Sequence, residues 1–174
     1  MAREICLRLL AARPRTRAEL ATALRRKGIP ADVSATVLDR YDDVGLIDDA
    51  AFARAWVTTR HHGKGLARKA LAGELRRRGV DDDTVRDAVE ELDPDTEAAT
   101  ARELVERRLR TGRGGDPDSL LRRLVGMLAR KGYPPGVAYR VVKEALAAHE
   151  TTAELADRLD VDALADAEID GLAG

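Results

Sequence analysis

The decapeptide Leu71-Ala-Gly-Glu-Leu75-Arg-Arg-Arg-Gly79-Val80 has two counterparts elsewhere in the chain. Upstream it returns as Leu20-Ala-Thr-Ala-Leu24-Arg-Arg-Lys-Gly28-Ile29, and downstream as Leu124-Val-Gly-Met-Leu128-Ala-Arg-Lys-Gly132-Tyr133. The glycines stand 51 and 53 residues apart. Each motif is a helix that ends in a basic turn and a glycine, where cations complement the helix dipole and an achiral residue takes the left-handed conformation. After each glycine an apolar set recurs at nearly the same offset: Val33, Val37, Leu38 and Tyr41, then Val85, Val89 and Leu92, then Val137, Val141, Val142 and Leu146. Three matches of this kind identify a repeat.

A further helical stretch precedes each copy, over Arg3–Ala12, Asp49–His62 and Asp95–Arg110. Apolar residues recur at three and four rather than two, so no strand is expected. The sequence therefore predicts an all-α chain of three tandem three-helix repeats, at 2–44, 49–92 and 95–148. They would form an elongated, curved array followed by an acidic, poorly ordered tail over 150–174. Local capping signals support the boundaries. Thr16 with Glu19 fits a capping box, Asp49 can cap the helix that carries Phe52 and Trp56, and Asp116 before Pro117 is a cap followed by a first-turn proline.

Composition agrees with helices. Only five of the 174 residues are Phe, Trp or Tyr, and the Leu and Ala that dominate are strong helix formers. A lone cysteine, Cys6, excludes an internal disulfide framework and a thiolate zinc site. No apolar run approaches the roughly 18 residues of a membrane span, and no signal-peptide pattern is present, so a soluble, cytoplasmic protein with no membrane role is expected. The formal net charge of −1 hides a segregation. Residues 150–174 carry eight carboxylates and one arginine, which leaves the remainder a net +6. Of the 30 basic residues 25 are arginine, which favours planar contacts to phosphate or carboxylate. A polyanionic or acidic protein partner follows.

No catalytic constellation emerges. His61-His62 point in different directions on a helix and read as part of a solvated helix end. Cys6, among Ile5, Leu9 and Leu10, reads as a packing residue. Asp42-Asp43 and Asp48-Asp49 bracket Gly45-Leu46-Ile47, and Asp81–Asp83 precede a helix; paired carboxylates can bind a divalent metal or run acid–base chemistry, but clusters beside helix starts are what capping asks for. Gly63-Lys64-Gly65 lacks the rest of a phosphate-binding loop. The chain is thus expected to be no enzyme, with no cofactor, no metal and no small-molecule substrate.

The basic residues remain. Those at corresponding places in the second and third units are Arg60, Lys64, Arg68, Lys69, Arg76 and Arg77, then Arg122, Arg123, Arg130 and Lys131; the first unit has Arg25, Arg26 and Lys27. Each set reads either as a solvated face or as a contact surface, and its recurrence brings the contact reading level with the solvated one. Phe52 and Trp56, one turn apart, read as core of the second unit, with base stacking the alternative.

These residues carry a resemblance to the RecX family of regulatory proteins, which act on the RecA recombinase. It lies in Cys6-Leu-Arg-Leu-Leu-Ala-Ala-Arg13, Thr16-Arg-Ala-Glu-Leu20 and Arg25-Arg-Lys-Gly-Ile29. Its centre is Gly45-Leu-Ile-Asp-Asp49, Phe52-Ala-Arg-Ala-Trp56, Arg60, Gly63-Lys-Gly65 and Leu75–Val80, and the third motif continues it. Residues 2–148 are covered, and the tail beyond 150 is outside the common pattern. The resemblance implies three three-helix repeats, which the periodicity reaches independently. It also implies a regulator that binds the RecA–single-stranded DNA filament and inhibits its ATPase, strand-exchange and co-protease activities. By that resemblance Asp48, Asp49, Phe52, Arg54, Trp56, Arg60, Gly63 and Gly65 align with the family's signature block. Asp49, Phe52 and Trp56, with Gly28, Gly79 and Gly132, are read as structural, and the basic sets as contacts to filament or phosphate. The alternatives are a free-standing nucleic-acid-binding protein and a structural helical adaptor.

Overall fold

The structure, a computed structural model, describes residues 1–112, 116–151 and 153. Among them are nine helical segments and no strand. They are α1 (Ala2–Ala12), α2 (Arg17–Arg26), α3 (Ala31–Asp43), α4 (Asp49–Lys64), α5 (Arg68–Arg77), α6 (Asp82–Glu90), α7 (Pro94–Thr111), α8 (Pro117–Arg130) and α9, residues 135–151. Beyond residue 150 only 151 and 153 are described, so the expectation for the acidic tail lies outside the described residues.

The chain divides into two compact units: Met1–Glu97 with Arg130–Tyr133, and Ala98–Ala129 with Pro134–Gly174. The first unit holds two complete repeats. In one, α1, α2 and α3 pack mutually around Cys6, Leu20, Leu24, Leu38 and Tyr41. In the other, α4, α5 and α6 enclose Ala53, Val57, Leu71, Leu75 and Val85. Leu20 and Leu24, like Leu71 and Leu75, are fully buried. Each leucine of this kind removed from water contributes about 1.5–3 kcal/mol. In the second unit the buried side chains keep helical spacing: Ala101, Val105 and Leu109 on α7, Leu124 and Leu128 on α8, and Ala138, Val141 and Val142 on α9.

The helix starts follow their side chains. Thr16 and Glu19 make the expected reciprocal capping box on α2. Asp81 accepts from Thr84 N at 3.0 Å, Asp93 from Thr96 N at 2.9 Å and Asp116 from Ser119 N at 3.0 Å. One expectation is corrected. Asp48, not Asp49, caps α4, accepting from Ala51 N at 2.8 Å. Asp49 is already in the helix, and its Oδ1 turns back to accept from Arg17 N at 2.9 Å, the first backbone donor of α2. Proximity in sequence had assigned the carboxylate to its own helix.

The second repeat repeats this arrangement. Glu97 Oε1, on α7, accepts from Arg68 N at 2.9 Å, the first donor of α5. The middle helices also meet end to end. Thr16 Oγ1 donates to the Arg78 carbonyl at 2.7 Å, and Ala67 N donates to the Lys131 carbonyl at 2.8 Å. The first turn of α2 therefore sits on the turn that ends α5, and the first turn of α5 on the turn that ends α8. The α8 start differs, because Pro117 has no N–H to offer.

The junctions explain two glycines more fully than their conformation does. A Cβ at Gly79 would lie 2.3 Å from Ala18 Cβ, and one at Gly132 would lie 2.5 Å from Ala70 N, whereas one at Gly28 meets nothing within 4 Å. All three have positive φ, at +73°, +80° and +92° for Gly28, Gly79 and Gly132. Gly28→Ala is therefore expected to cost only the left-handed penalty of about 1–2 kcal/mol. Gly79→Ala and Gly132→Ala should each lose clearly more in urea unfolding, since α2 or α5 must also move.

Candidate interaction surface

The cations expected at a binding surface fall into two groups. Some are tied into the fold. Arg60 Nε lies 3.1 Å from Glu74 Oε2, and its guanidinium sits 4.5 Å from the Trp56 ring centre. Arg68 pairs with Glu97 and also donates to the Leu92 carbonyl. Lys131 Nζ donates to the Lys64 carbonyl at 2.7 Å. Arg76 pairs with Asp82 at 2.7 Å, an exposed pair of little energetic weight.

The others have no ion-pair partner among the described residues: Lys64, Lys69, Arg77, Arg122, Arg123 and Arg130, and in the first repeat Arg25, Arg26 and Lys27. All of them are exposed. On α5, Lys69 and Arg76-Arg77 are seven and eight residues apart, with Gly73 midway, so they share one face. On α8, Arg122-Arg123 and Arg130 have the same spacing around Gly126. The leucines that fix the opposite faces of these helices are buried, which is what turns the cations outward.

The aromatic pair is placed by the repeat junction. Phe52 and Trp56 stack with centroids 5.7 Å apart and an interplanar angle of 16°, against the second core. Trp56 Nε1 donates to Glu74 Oε2 at 2.8 Å. Arg78 lies 3.9 Å from the same ring centre and also pairs with Glu19 across the junction. With Arg60, Arg78 and Phe52 already on it, the indole is not an open platform for a base, and the core reading describes its place. Arg13, Pro14, Phe52, Ala55, Trp56, Thr59 and Arg60 line a cavity of about 430 Å³ beside it.

His61 departs from the solvated helix end expected of it. It is 1% exposed, and its Nδ1 donates to the Leu66 carbonyl at 2.9 Å. Gly65, in the left-handed conformation at φ +63°, folds Leu66 back over the end of α4 and closes that bond. His62, on the adjacent face, is exposed. Cys6 is fully buried in the first core, and burial raises its thiol pKa. Burial likewise pushes up the phenol of Tyr133, whose hydroxyl donates to the Gly65 carbonyl at 3.0 Å. Among the described residues no three His, Cys, Asp or Glu side chains are grouped to hold a metal ion, and no helix is long and apolar enough to cross a membrane.

The partners Glu19, Glu74 and Glu97 were missed by reasoning from sequence. For two of them a signal was present, since Glu19 and Glu74 are the sole carboxylates of α2 and α5; Glu97, among Asp93, Asp95, Glu103 and Glu106, had none.

These observations define an all-α tandem-repeat protein whose distinctive surface groups are cations on its middle helices. Sequence models of the first, second and third three-helix domains of RecX match residues 2–40, 48–89 and 95–142, and the chain belongs to the RecX family of regulatory proteins. The Regulatory protein RecX of Thermobifida fusca is 61% identical over 147 residues, covering 84% of this chain and 80% of the relative. That of Amycolatopsis mediterranei is 49% identical over 161 residues, covering 92% of each. A crystal structure of RecX from Lactobacillus salivarius shares the fold, with a TM-score of 0.77 over 83% of this chain and 94% of that one, at 21% identity.

The Asp49 bond makes a testable distinction. Burial raises the Asp49 carboxyl pKa, opposed by the Arg17 N–H that favours its charged form. A folded-state pKa above the unfolded one means that the folded chain holds the proton more tightly. This group therefore adds stability as pH falls through the folded pKa and opposes folding above it. Asp49→Asn keeps an acceptor and removes the charge, so stability at neutral pH should equal or exceed the parent's and the acid-side gain should vanish. Asp49→Ala strands the donor and should cost about 1 kcal/mol. Urea melts of the three proteins between pH 4 and pH 7 check both signs.

Proposed function

We propose that this chain binds the filament that a RecA recombinase forms on single-stranded DNA and restrains its ATPase, strand exchange and co-protease activity, without catalysis of its own. The observation that supports this reading is the separation of the cations. Arg68 held against Glu97 and Arg78 against Glu19 tie neighbouring repeats, and Arg60 against Glu74 ties α4 to α5, while Lys69, Arg77, Arg122 and Arg123 have no ion-pair partner among the described residues. Cations without partners keep their full capacity to meet phosphate or carboxylate.

The mechanism is electrostatic and steric. Each phosphate met by a cation releases condensed counterions, so binding gains free energy from dilution of those ions and weakens steeply with salt. Contacts spread over several helices of one molecule raise the effective concentration of each for the next, so modest contacts combine into useful affinity. A protein held across neighbouring recombinase subunits hinders their exchange and the motions that accompany nucleotide turnover. Nothing in the basic sets resembles base readout, and sequence-independent binding follows. Cofactors have no part in this scheme, and the medium in which the filament works is the cytoplasm.

The test titrates the protein against the single-strand-dependent ATPase of the cognate recombinase, with binding to naked DNA measured at the same salt. Inhibition well below DNA saturation is expected. Inhibition only once the DNA is coated would favour a free-standing nucleic-acid binder, and no effect in either assay would leave a structural adaptor.

Charge reversal separates the two groups of cations. Lys69→Glu with Arg77→Glu should weaken filament binding and leave the melting temperature unchanged. The slope of log affinity against log salt should fall by about one for each phosphate that the variant no longer meets. Arg60→Glu should instead lower the melting temperature, because it faces Glu74 in a partly buried site.

A further inference from the structure

The middle helices end in the same kind of turn. In the first repeat Gly28 N donates to the Arg25 carbonyl at 3.0 Å and Ile29 N to the Leu24 carbonyl at 3.1 Å. In the second, Gly79 N donates to the Arg76 carbonyl at 2.9 Å and Val80 N to the Leu75 carbonyl at 3.2 Å. Gly132 shares their positive φ. What lies on these turns differs. The first turn of α2 sits on the Gly79 turn, with Ala18 against the glycine, Thr16 Oγ1 on the Arg78 carbonyl and Glu19 paired with the Arg78 side chain. The first turn of α5 sits on the Gly132 turn, with Ala70 against the glycine and Ala67 N on the Lys131 carbonyl. Arg78 and Lys131, the residues before these glycines, are half-buried.

The Gly28 turn has no such cover among the described residues. A Cβ at Gly28 would meet nothing within 4 Å. Among the described residues none donates to the Lys27 carbonyl, the counterpart of the Arg78 and Lys131 carbonyls. The Lys27 side chain is exposed, as are Arg25 and Arg26, and none of the three has an ion-pair partner among the described residues.

The two covered turns specify what fits the open one. Each takes the first turn of a helix, offers a carbonyl to a donor of its N-cap residue, and tolerates alanine where that helix crosses the glycine. At Gly79 the incoming helix also brings a carboxylate for the cation before the glycine. A helix start has unpaired donors and the positive end of a dipole, both suited to the open carbonyls that end α2. A nucleic-acid phosphate would meet the cations but would also face a carbonyl and the negative end of that dipole. Within this chain the matching starts, those of α2 and α5, are already seated, and α8 begins with Pro117, which has no N–H to give. The occupant therefore comes from another protein.

We propose that the Gly28 turn seats the first turn of a helix in a protein subunit of the filament. That helix brings an N-cap donor to the Lys27 carbonyl, a residue no larger than alanine over Gly28, and a carboxylate to the Lys27 side chain. The inference rests on the filament reading above, and it gives the first repeat a contact with protein that depends on shape as well as charge.

Gly28→Asn tests it. Asparagine tolerates the left-handed conformation better than other residues with a side chain, and the space beyond Gly28 is empty in the free chain, so the variant keeps the fold. Its side chain blocks an incoming helix as a Cβ at Gly79 would block α2. Affinity for the filament that the cognate recombinase assembles on single-stranded DNA should fall about tenfold or more, the loss of one well-packed contact. The factor should be the same at low and high salt, and affinity for the naked strand should equal the parent's. Lys27→Glu, which leaves the backbone alone, should also weaken filament binding, and it decides the question if urea unfolding shows Gly28→Asn to be disrupted. Parent-like filament affinity in the variants overturns this contact and leaves the filament reading standing. Equal losses on filament and naked strand overturn it in favour of nucleic acid on the turn. A parent that binds no filament removes both readings. Sedimentation velocity detects a second copy: self-association of the parent that Gly28→Asn abolishes would place this same chain on the turn and overturn a filament helix there.

Discussion

The starts of the first two middle helices, α2 and α5, depend on residues from the following repeat. An α-helix leaves its first backbone donors unpaired, and burying them without acceptors would cost more than most packing contacts supply. In the first unit that demand is met twice in the same way. A carboxylate of the following repeat takes the first N–H, Asp49 for Arg17 and Glu97 for Arg68, while the turn ending the following middle helix offers a carbonyl, Arg78 for Thr16 and Lys131 for Ala67. The close approach this requires rules out a side chain at Gly79 and Gly132. Where the first turn of α2 meets the turn that ends α5, the positive end of one dipole faces the negative end of the other.

The same constraint sorts the surface. Arg68 and Arg78, at the two ends of α5, are drawn into the junctions against Glu97 and Glu19, while Arg60 pairs with Glu74 inside the second repeat and Trp56 covers the guanidinium groups of Arg60 and Arg78. Lys69 and Arg77, the sequence neighbours of Arg68 and Arg78, project from other sides of α5 and stay outside the junctions. A basic repeat motif thus serves two purposes with one residue type, and position relative to the junction decides which.

The fold was legible because its cause is local: leucines at three and four, a basic last turn and a glycine recur at one period, and each signal is contained within a dozen residues. The surface was legible only by count. Nothing in the sequence distinguishes Arg77, which has no ion-pair partner among the described residues, from Arg78, whose partner Glu19 lies 59 residues away. Asp49 was misassigned for the same reason, since a carboxylate beside a helix start suggests capping of that helix and the true donor is 32 residues upstream. His61 shows the converse. It continues the core face of α4 at the four-residue spacing of Ala53 and Val57, a periodic signal present in the sequence that its residue type outweighed.

Pro117 gives the arrangement a direction in time. Arg17 and Arg68 wait for acceptors 32 and 29 residues further along the chain, whereas α8 begins with a residue that has no N–H and with Asp116 capping from its own side. During synthesis from the N-terminus, the first N–H of α2 has no protein acceptor until the second repeat has begun to emerge, nor the first N–H of α5 until α7 has. The ribosome therefore releases a chain whose earliest segment is completed by later ones, and the start of the third middle helix is the point at which that dependence is no longer passed on.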